Sequence, residues 1–242
     1  MRNSVLFNRK RFEQVVNFCQ ENNITPEESI IRVAQPLLNG TGTYFFDIKS
    51  DAVKTTYSQE GLNRNDAFVP FAMSVMVAFE EVDDRDIPTG KAPLFSFAPK
   101  AGVAVPVGFK TRDIEALYNG TLQINFDQTV VNSSFPTLNF KHVPETQNVP
   151  VYNGTAMVST GIEPEFDVMD CMYPLAPNYI FKGNTDTKIR LDFNATGSVF
   201  DCAEAGNSET STKYKPFLYF VMNGVLIKNG AEKATNALRL KD

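Results

Sequence analysis

Histidine, tryptophan and paired cysteines are scarce or missing in this chain of 242 residues. It has one histidine (His142), no tryptophan and three cysteines that form no Cys-x-x-Cys pair. A single imidazole cannot build a zinc site that needs several histidines, and an odd number of separated cysteines favours neither a disulfide framework nor a zinc knuckle. We therefore expect Cys19, Cys171 and Cys202 to be reduced and mostly buried.

An excess of positive charge and a long apolar run are missing as well. The formal net charge of −5 argues against a dedicated nucleic-acid binder. No segment approaches the roughly 20 apolar residues of a membrane span, and the charges of Arg9–Arg11 follow the apolar Val5–Phe7, the reverse of a secretory signal. The 43% hydrophobic content suits one large globular domain or two small ones. These features predict a soluble protein made in a cytosol.

The first 38 residues have the pattern of a basic helical arm. The apolar side chains that share one helical face are Phe12, Val15, Val16 and Cys19. Asn22-Asn23 ends this helix, and Thr25–Glu28 then has the form of a capping box that begins a second one. The apolar face expected for the second helix is Ile30, Ile31, Ala34 and Leu37. The segment is thus predicted to be a helical hairpin.

After the arm, the period of the apolar residues changes to two, which is typical of strands. Ala67–Val82 has large apolar residues at odd positions and mostly small ones between them. Leu122–Val130 alternates as a single strand and leads to a turn at Asn132–Pro136. Near the end of the chain, Asn223-Gly224 separates two apolar runs and predicts the turn of a hairpin.

The pattern yields about eight or nine strands with few helices between them, which disfavours a parallel α/β sheet. We predict a mainly β fold, an antiparallel jelly-roll β-sandwich over residues 39–242. One roll is favoured because the strands fill it comfortably, and a compact double roll is the alternative. Pro144–Pro177, which is rich in proline, is expected to be a surface loop that mediates subunit contacts or faces outward.

Motifs for catalysis and cofactor binding are incomplete in this sequence. Pro88–Lys91 contains a Gly-Lys pair, but it lacks the earlier glycine and the following Ser/Thr of a phosphate-binding loop. His142 stands without a Gly-x-Ser-x-Gly elbow or a cysteine in a recognisable catalytic signature. We therefore expect a structural histidine, no cofactor and no enzyme.

Acidic side chains cluster twice, at Glu80–Asp86 and at Glu163–Asp170. Such oxygen ligands could hold Ca²⁺, although the EF-hand spacing is absent, and two facing carboxylates could serve a glycosidase. We interpret both clusters as solvated charges that keep strand edges from pairing with other chains. Proximity of the two clusters in one cleft would favour the enzyme.

A basic cluster near the start of the chain is the local feature that points most directly to a partner. It precedes the first acidic residue, Glu13, in an otherwise acidic chain. Such residues can contact phosphates of a genome or of anionic lipids, and flanking phenylalanines suit an interfacial anchor. The candidate contact residues are Arg2, Phe7, Arg9, Lys10, Arg11 and Phe12. The alternative is an exposed, charged chain end without a partner.

Three segments carry a resemblance to a known family: Leu62–Val69 (LNRNDAFV), Pro93–Phe97 (PLFSF) and Asp113–Gly120 (DIEALYNG). Together with the strands that follow them, they resemble the jelly-roll coat proteins of tailless, lipid-containing bacteriophages, of the type found in single-stranded DNA phages of Flavobacterium. Phe181–Asp186, ahead of a later strand, is similar. The resemblance implies trimers within a shell, often with two rolls per subunit, and no catalytic residue.

From these observations we expect a capsid protein that assembles into an icosahedral shell around a phage genome, over an internal membrane. Its partners would be copies of itself, other capsid proteins and, through the arm, lipid or genome; its location would be the virion. The alternative is a carbohydrate- or receptor-binding β-sandwich, such as a spike or fibre head. Sugar sites commonly use exposed aromatic side chains, so the absence of tryptophan weakens this alternative.

Overall fold

The structure is a computed structural model that describes residues 4–38, 41–49, 61–82, 92, 94–96, 116–127, 129–141, 146–147, 150–152, 157–159, 163–164, 172–175, 179–193 and 213–233. In these ranges the fold is mainly β, with an N-terminal helix, α1 (Ser4–Glu21), which confirms the predicted fold class at this level. The strands are β1 (Pro26–Pro36), β2 (Thr43–Asp47), β3 (Ala67–Val82), β4 (Thr121–Phe126), β5 (Thr129–Pro136), β6 (Thr146–Gln147), β7 (Pro150–Tyr152), β8 (Met157–Ser159), β9 (Glu163–Pro164), β10 (Tyr173–Pro174), β11 (Phe181–Lys182), β12 (Thr187–Asp192) and β13 (Lys213–Ile227). A short 3-10 helix, Thr137–Phe140, follows β5.

Two antiparallel sheets form a sandwich-like arrangement. Sheet I has the strand order β1-β13-β3-β10, and β11 also pairs with β3. Sheet II has the order β2-β12-β4-β5. The remaining described strands form two small ribbons, β6–β9 and β7–β8. Because β1 pairs with β13 and β2 with β12, both sheets join segments that are far apart in the chain.

The main core lies between the two sheets. Apart from the bulged positions, alternate residues along the strands of sheets I and II point inward, as expected for strands with one face against a core. From sheet I the buried side chains include Met73, Val75, Val77, Leu218 and Phe220, and from sheet II they include Phe46, Leu122, Ile124, Ile189 and Leu191. Each large apolar side chain contributes about 1.5–3 kcal/mol when fully buried, so this layer is the main source of stability.

A β-bulge interrupts the alternation predicted for Ala67–Val82. Asn223 lies opposite Ala72 and Gly224 opposite Pro70, so Phe71 is an extra residue on β3. Before the bulge Phe68 faces the main core, and after it Met73 does. The prediction that the odd-numbered residues share one face is therefore confirmed from Met73 to Phe79 but wrong for Val69 and Phe71.

Asn223-Gly224 is a bulge position and not the predicted hairpin turn, because β13 runs without interruption from Lys213 to Ile227. A Cβ at residue 224 would overlap the carbonyl oxygen of Val69 and lie 2.8 Å from Pro70 Cα. A glycine inside a strand often marks such a close approach of another backbone. The pair therefore has a structural role, but a different one from the turn that its sequence indicates.

The predicted second helix is wrong: residues 26–36 form β1, the edge strand of sheet I. All eleven residues of β1 pair with β13, from Pro26 opposite Ile227 to Pro36 opposite Phe217. Ile31 and Val33 point into the main core, whereas Ala34 is buried on the opposite face of the sheet. This long ladder overrides a local capping signal, so the helical part of the predicted arm ends at Glu21 and β1 belongs to the sandwich.

The turn predicted at Asn132–Pro136 is also wrong, since the chain reverses earlier, between Phe126 and Thr129. Asp127 has φ of 50° and lies in the left-handed region, which aspartate tolerates better than most residues. Its N–H donates to the carbonyl oxygen of Asp186 at 2.7 Å, and its carboxylate accepts a hydrogen bond from the Asp186 N–H at 2.9 Å. These contacts fix the turn against the start of β12.

We expect Gly224→Ala to lower the free energy of unfolding by about 2 kcal/mol or more, because the backbone of β3 has to move away from the new methyl group. Gly42→Ala is the matched control, since a Cβ there would meet its nearest atom, the Phe193 carbonyl oxygen, at 3.6 Å. Denaturant unfolding of both variants measures the difference. Equal unfolding midpoints for the two variants would contradict the bulge as described.

Candidate functional site

Helix α1 carries most of the residues predicted to contact lipid or nucleic acid. Its inner face packs on the outer side of sheet I, where Val15, Phe18 and Cys19 contact side chains of β3 and β13. Phe7, Arg9 and Lys10 lie within the helix, whereas Arg2 lies outside the described residues. Cys19 is buried and free, as predicted, and burial raises the pKa of its thiol. Cys171 and Cys202 lie outside the described residues.

Arg11, predicted to face lipid or nucleic acid, is instead only 6% exposed. Its Nη2 donates to the carbonyl oxygen of Tyr179 at 2.7 Å, and its guanidinium carbon lies 5.7 Å from the centre of the Phe71 ring. Desolvation lowers its pKa to about 10, so the side chain remains charged at neutral pH. Phe12, which is 48% exposed, packs edge-on against the same Phe71 ring at 6.0 Å. Arg11 thus anchors α1 to the sandwich, and Phe12 is the exposed member of the pair.

Glu80 is likewise not the solvated loop charge that the sequence suggested, because it is fully buried on β3. Its carboxylate accepts a hydrogen bond from the Tyr219 hydroxyl at 2.6 Å and lies 3.6 Å from Arg32 Nη2. The Arg32 guanidinium also lies 4.2 Å from the centre of the Tyr219 ring. Burial, followed by the hydrogen bond to Glu80, raises the pKa of Tyr219, which therefore stays a neutral donor. Arg32, Tyr219 and Glu80 thus connect β1, β13 and β3 across sheet I.

The other predicted acidic residues do not assemble into a site within the described part of the chain. Glu81 is exposed, and Glu163 begins β9. No group of three His, Cys, Asp or Glu side chains suited to a metal ion occurs among the described residues. The further residues of these predictions, which lie outside the described ranges, are Asp83, Asp84, Asp86, Glu165, Asp167, Asp170 and His142. The same holds for Pro88–Lys91.

The open face of sheet II carries the arrangement that sequence analysis missed. Phe45 on β2, Arg190 on β12 and Gln123 on β4 lie directly opposite one another in the ladder. The next row along the strands contains Asp47, Lys188, Asn125 and Val130. Directly opposite residues have Cβ atoms about 4.5–5.5 Å apart, so the first row spans about 10 Å. We call the side chains of Phe45, Arg190, Gln123 and Asn125 the sheet II array.

Arg190 in this array is held in place by its neighbours. Its Nε lies 2.8 Å from Asp192 Oδ2 and donates to Oδ1 at 3.0 Å. The same Asp192 Oδ1 accepts a hydrogen bond from the Thr43 hydroxyl at 2.7 Å. The guanidinium carbon lies 6.0 Å from the centre of the Phe45 ring, which is 57% exposed. The guanidinium is therefore oriented beside an exposed aromatic face.

The sequence contains weak signals for this array. Lys188, Arg190 and Asp192 alternate with apolar residues, so their outward direction is predictable from the period of two. Phe45 is harder to identify, because it stands between Tyr44 and Phe46 and all three aromatics suggest a core. Only the strand parity places Tyr44 and Phe46 inside and Phe45 outside.

Comparison with known proteins gave no matching family model, no matching curated protein and no matching solved structure. In the described part of the chain, no helix has both the length and the apolar character needed to cross a membrane.

Tyr219 and Glu80 share a hydrogen bond, so we expect substitutions at the two positions to have coupled effects on the free energy of unfolding. Tyr219→Phe should lower the free energy of unfolding by about 1.5–3 kcal/mol, because it removes a short hydrogen bond to a buried carboxylate. Tyr219→Phe and Glu80→Gln combined should cost less than the sum of the single variants, by about 1 kcal/mol or more.

Tyr44→Phe is the matched control, because its hydroxyl accepts a hydrogen bond from the Leu38 N–H at 3.1 Å and donates to the Leu38 carbonyl oxygen at 3.3 Å, both neutral backbone groups. It should cost about 1 kcal/mol or less and show no coupling to Glu80→Gln. Additive costs for Tyr219→Phe and Glu80→Gln in urea unfolding would contradict the coupling.

Proposed function

We propose that this chain is a coat subunit built on a single eight-stranded jelly roll and that it works by assembling with copies of itself. The support for the fold is the order in which the principal strands pair. When β10 and β11 are counted as one interrupted strand, the first strand pairs with the eighth, the second with the seventh, the third with the sixth and the fourth with the fifth. This is the pairing of a long antiparallel hairpin.

The four pairs are then joined into two sheets in the manner of a jelly roll. The first and third pairs meet through β13 and β3 in sheet I, whereas the second and fourth meet through β12 and β4 in sheet II. A hairpin wound so that successive pairs alternate between two facing sheets is the jelly-roll arrangement, which viral capsid and lectin domains share. In the described part of the chain, the two sheets contain one complete set of eight strands, which favours a single roll over the double-roll alternative.

The sandwich alone does not define a function. The coat proposal therefore also depends on the family resemblance and on exposed apolar side chains at the surface. Exposed apolar side chains lie at one end of sheet II, where Thr43, Asp192, Thr121 and Pro136 form one row of the ladder. Leu38 precedes this row and is 55% exposed, and Leu138 follows it and is 59% exposed. We call Leu38 and Leu138 the apolar end. Repeated, partly apolar contacts of this kind stabilise closed assemblies.

The subunit should form trimers or larger symmetric assemblies that grow into sheets or shells at raised concentration. Light scattering of the purified protein, followed by negative-stain imaging, measures this. Leu38→Asp with Leu138→Asp should shift the population to smaller species, because burying a charge in an apolar contact is costly. A strict monomer of the unchanged protein at every concentration and salt level would overturn the coat proposal.

Val130→Asp is the matched control for this variant, since Val130 is 50% exposed and lies toward the opposite end of sheet II. It should leave the assembly size unchanged. If all three substitutions changed assembly equally, the apolar end would have no special part in it.

We propose that the remaining basic residues of the arm, Arg2, Arg9 and Lys10, contact lipid or genome on the inner side of the shell. Arg9→Ala with Lys10→Ala should weaken co-sedimentation with phosphatidylglycerol vesicles or single-stranded DNA and reduce its salt dependence. Lys228→Ala with Lys233→Ala, which removes the same charge from exposed positions near the end of β13, is the control. Equal losses in the two double variants would show a general charge effect and no arm site.

Arg11 should behave differently from its neighbours in the arm. Arg11→Ala removes a buried hydrogen bond and a cation–π contact, so its main effect should be a loss of stability, measured by thermal unfolding. The distinction between Arg11 and the other basic residues follows from its position between α1 and the sandwich. The basic cluster in the sequence does not reveal it.

The second candidate function is the carbohydrate- or receptor-binding sandwich. The observation that favours it is the sheet II array, an exposed aromatic ring beside polar side chains on an open sheet face. A stable monomer or a single trimer that does not grow further would be expected for a spike or fibre head.

A further inference from the structure

We infer that the sheet II array is a binding site for an uncharged oligosaccharide. The site is the open face around Phe45, Arg190, Gln123 and Asn125, and it is independent of whether the subunit assembles. It goes beyond the coat function, and it rests on the second candidate function, for which it names the site and the class of ligand: a surface through which a subunit or a finished shell would attach to a glycan.

The first step of the argument is the exposed ring. Phe45 points away from the core, while Tyr44 and Phe46 on either side of it are buried. A sugar ring has an apolar face of C–H groups, which packs on aromatic rings, and a polar edge of hydroxyls. Phe45 can supply the stacking surface without rearrangement, because the strand parity fixes its direction.

The second step is the set of hydrogen-bonding groups beside that ring. The ion pair with Asp192 uses Arg190 Nε, and in the described part of the chain no hydrogen bond is made by its two terminal nitrogens. Gln123 lies opposite Arg190, and Asn125 follows two residues later on the same strand and face. A planar amide offers both donors and an acceptor, the combination that a sugar hydroxyl pair requires.

The third step is the charge of this face. Arg190 forms an ion pair with Asp192, and Lys188 Nζ lies 3.3 Å from Asp186 Oδ2. Asp47 lies opposite Lys188 in the same row. With Lys49, whose Nζ lies 3.4 Å from Asp186 Oδ1, three cationic side chains balance three carboxylates, so a phosphate or sulfate would meet carboxylates as well as cations. A neutral polyhydroxyl ligand, which needs donors and acceptors without net charge, fits this face better.

The fourth step is shape. Rows of the array run across neighbouring strands over about 10 Å, and no described strand lies beyond β2 or β5 in sheet II. Among the described residues the surface is therefore broad and open, which suits an internal stretch of an extended glycan chain better than a single small sugar.

The test uses the purified full chain, kept below its assembly concentration, and a panel of neutral hexasaccharides: those of mannose, glucose (α- and β-linked), xylose and N-acetylglucosamine. Isothermal calorimetry and NMR titration measure binding, with a heparin hexasaccharide and inorganic phosphate as anionic probes. We expect saturable binding of at least one neutral member. Phe45→Ala and Gln123→Ala should each weaken it by about tenfold.

Phe12→Ala is the matched control, because Phe12 is a similarly exposed phenylalanine on α1, outside sheet II. It should bind as the unchanged protein does, and circular dichroism should show that all variants remain folded. No saturable binding across the panel, binding of the anionic probes alone, or binding that Phe45→Ala leaves unchanged would each overturn the inference. Because the unassembled subunit is used, a negative result here leaves the assembly experiment unaffected.

Discussion

The antiparallel ladder between β3 and β13 is the constraint on which the rest of the structure depends. These strands lie at the centre of sheet I, and the side chains on both faces of their middle segments are buried. One face builds the main core against sheet II, and the other supports α1 and a second apolar cluster. A change in register here would reverse the two faces of either strand, which would expose one set of apolar residues and bury the wrong set.

The bulge in this ladder also decides how α1 is attached. As the extra residue, Phe71 places its ring beside Arg11 and Phe12, and its carbonyl oxygen accepts a hydrogen bond from the Leu175 N–H at 2.8 Å. One inserted residue thus provides contacts to the helix and to the chain that follows β10. Gly224 makes this arrangement possible because it allows β3 to approach closely.

The sequence predicts the fold class well because the alternation of apolar residues records burial directly. The prediction fails where long-range pairing outweighs a local signal. Thr25–Glu28 has the local pattern of a helix start, yet residues 26–36 pair with β13 and form a strand. The turn predicted at Asn223-Gly224 is wrong for a related reason. In the sequence, a glycine required by the close approach of a neighbouring strand cannot be distinguished from a glycine required by a turn. Arg11 and Glu80 could not be placed from the sequence either. Each belongs to a charged cluster, and it is buried by tertiary packing, which the local sequence does not reveal.

The position of β13 has a consequence for how the protein is made. β1 and β3 do not pair with each other; they are joined only through β13, which is the last described strand to leave the ribosome. Until then, sheet I lacks its central strand, and the apolar residues of β1 and β3 have no common partner. Such long-range closure slows folding and leaves strand edges open in the nascent chain. It also means that a partly synthesised chain without β13 cannot complete sheet I and so cannot close the sandwich.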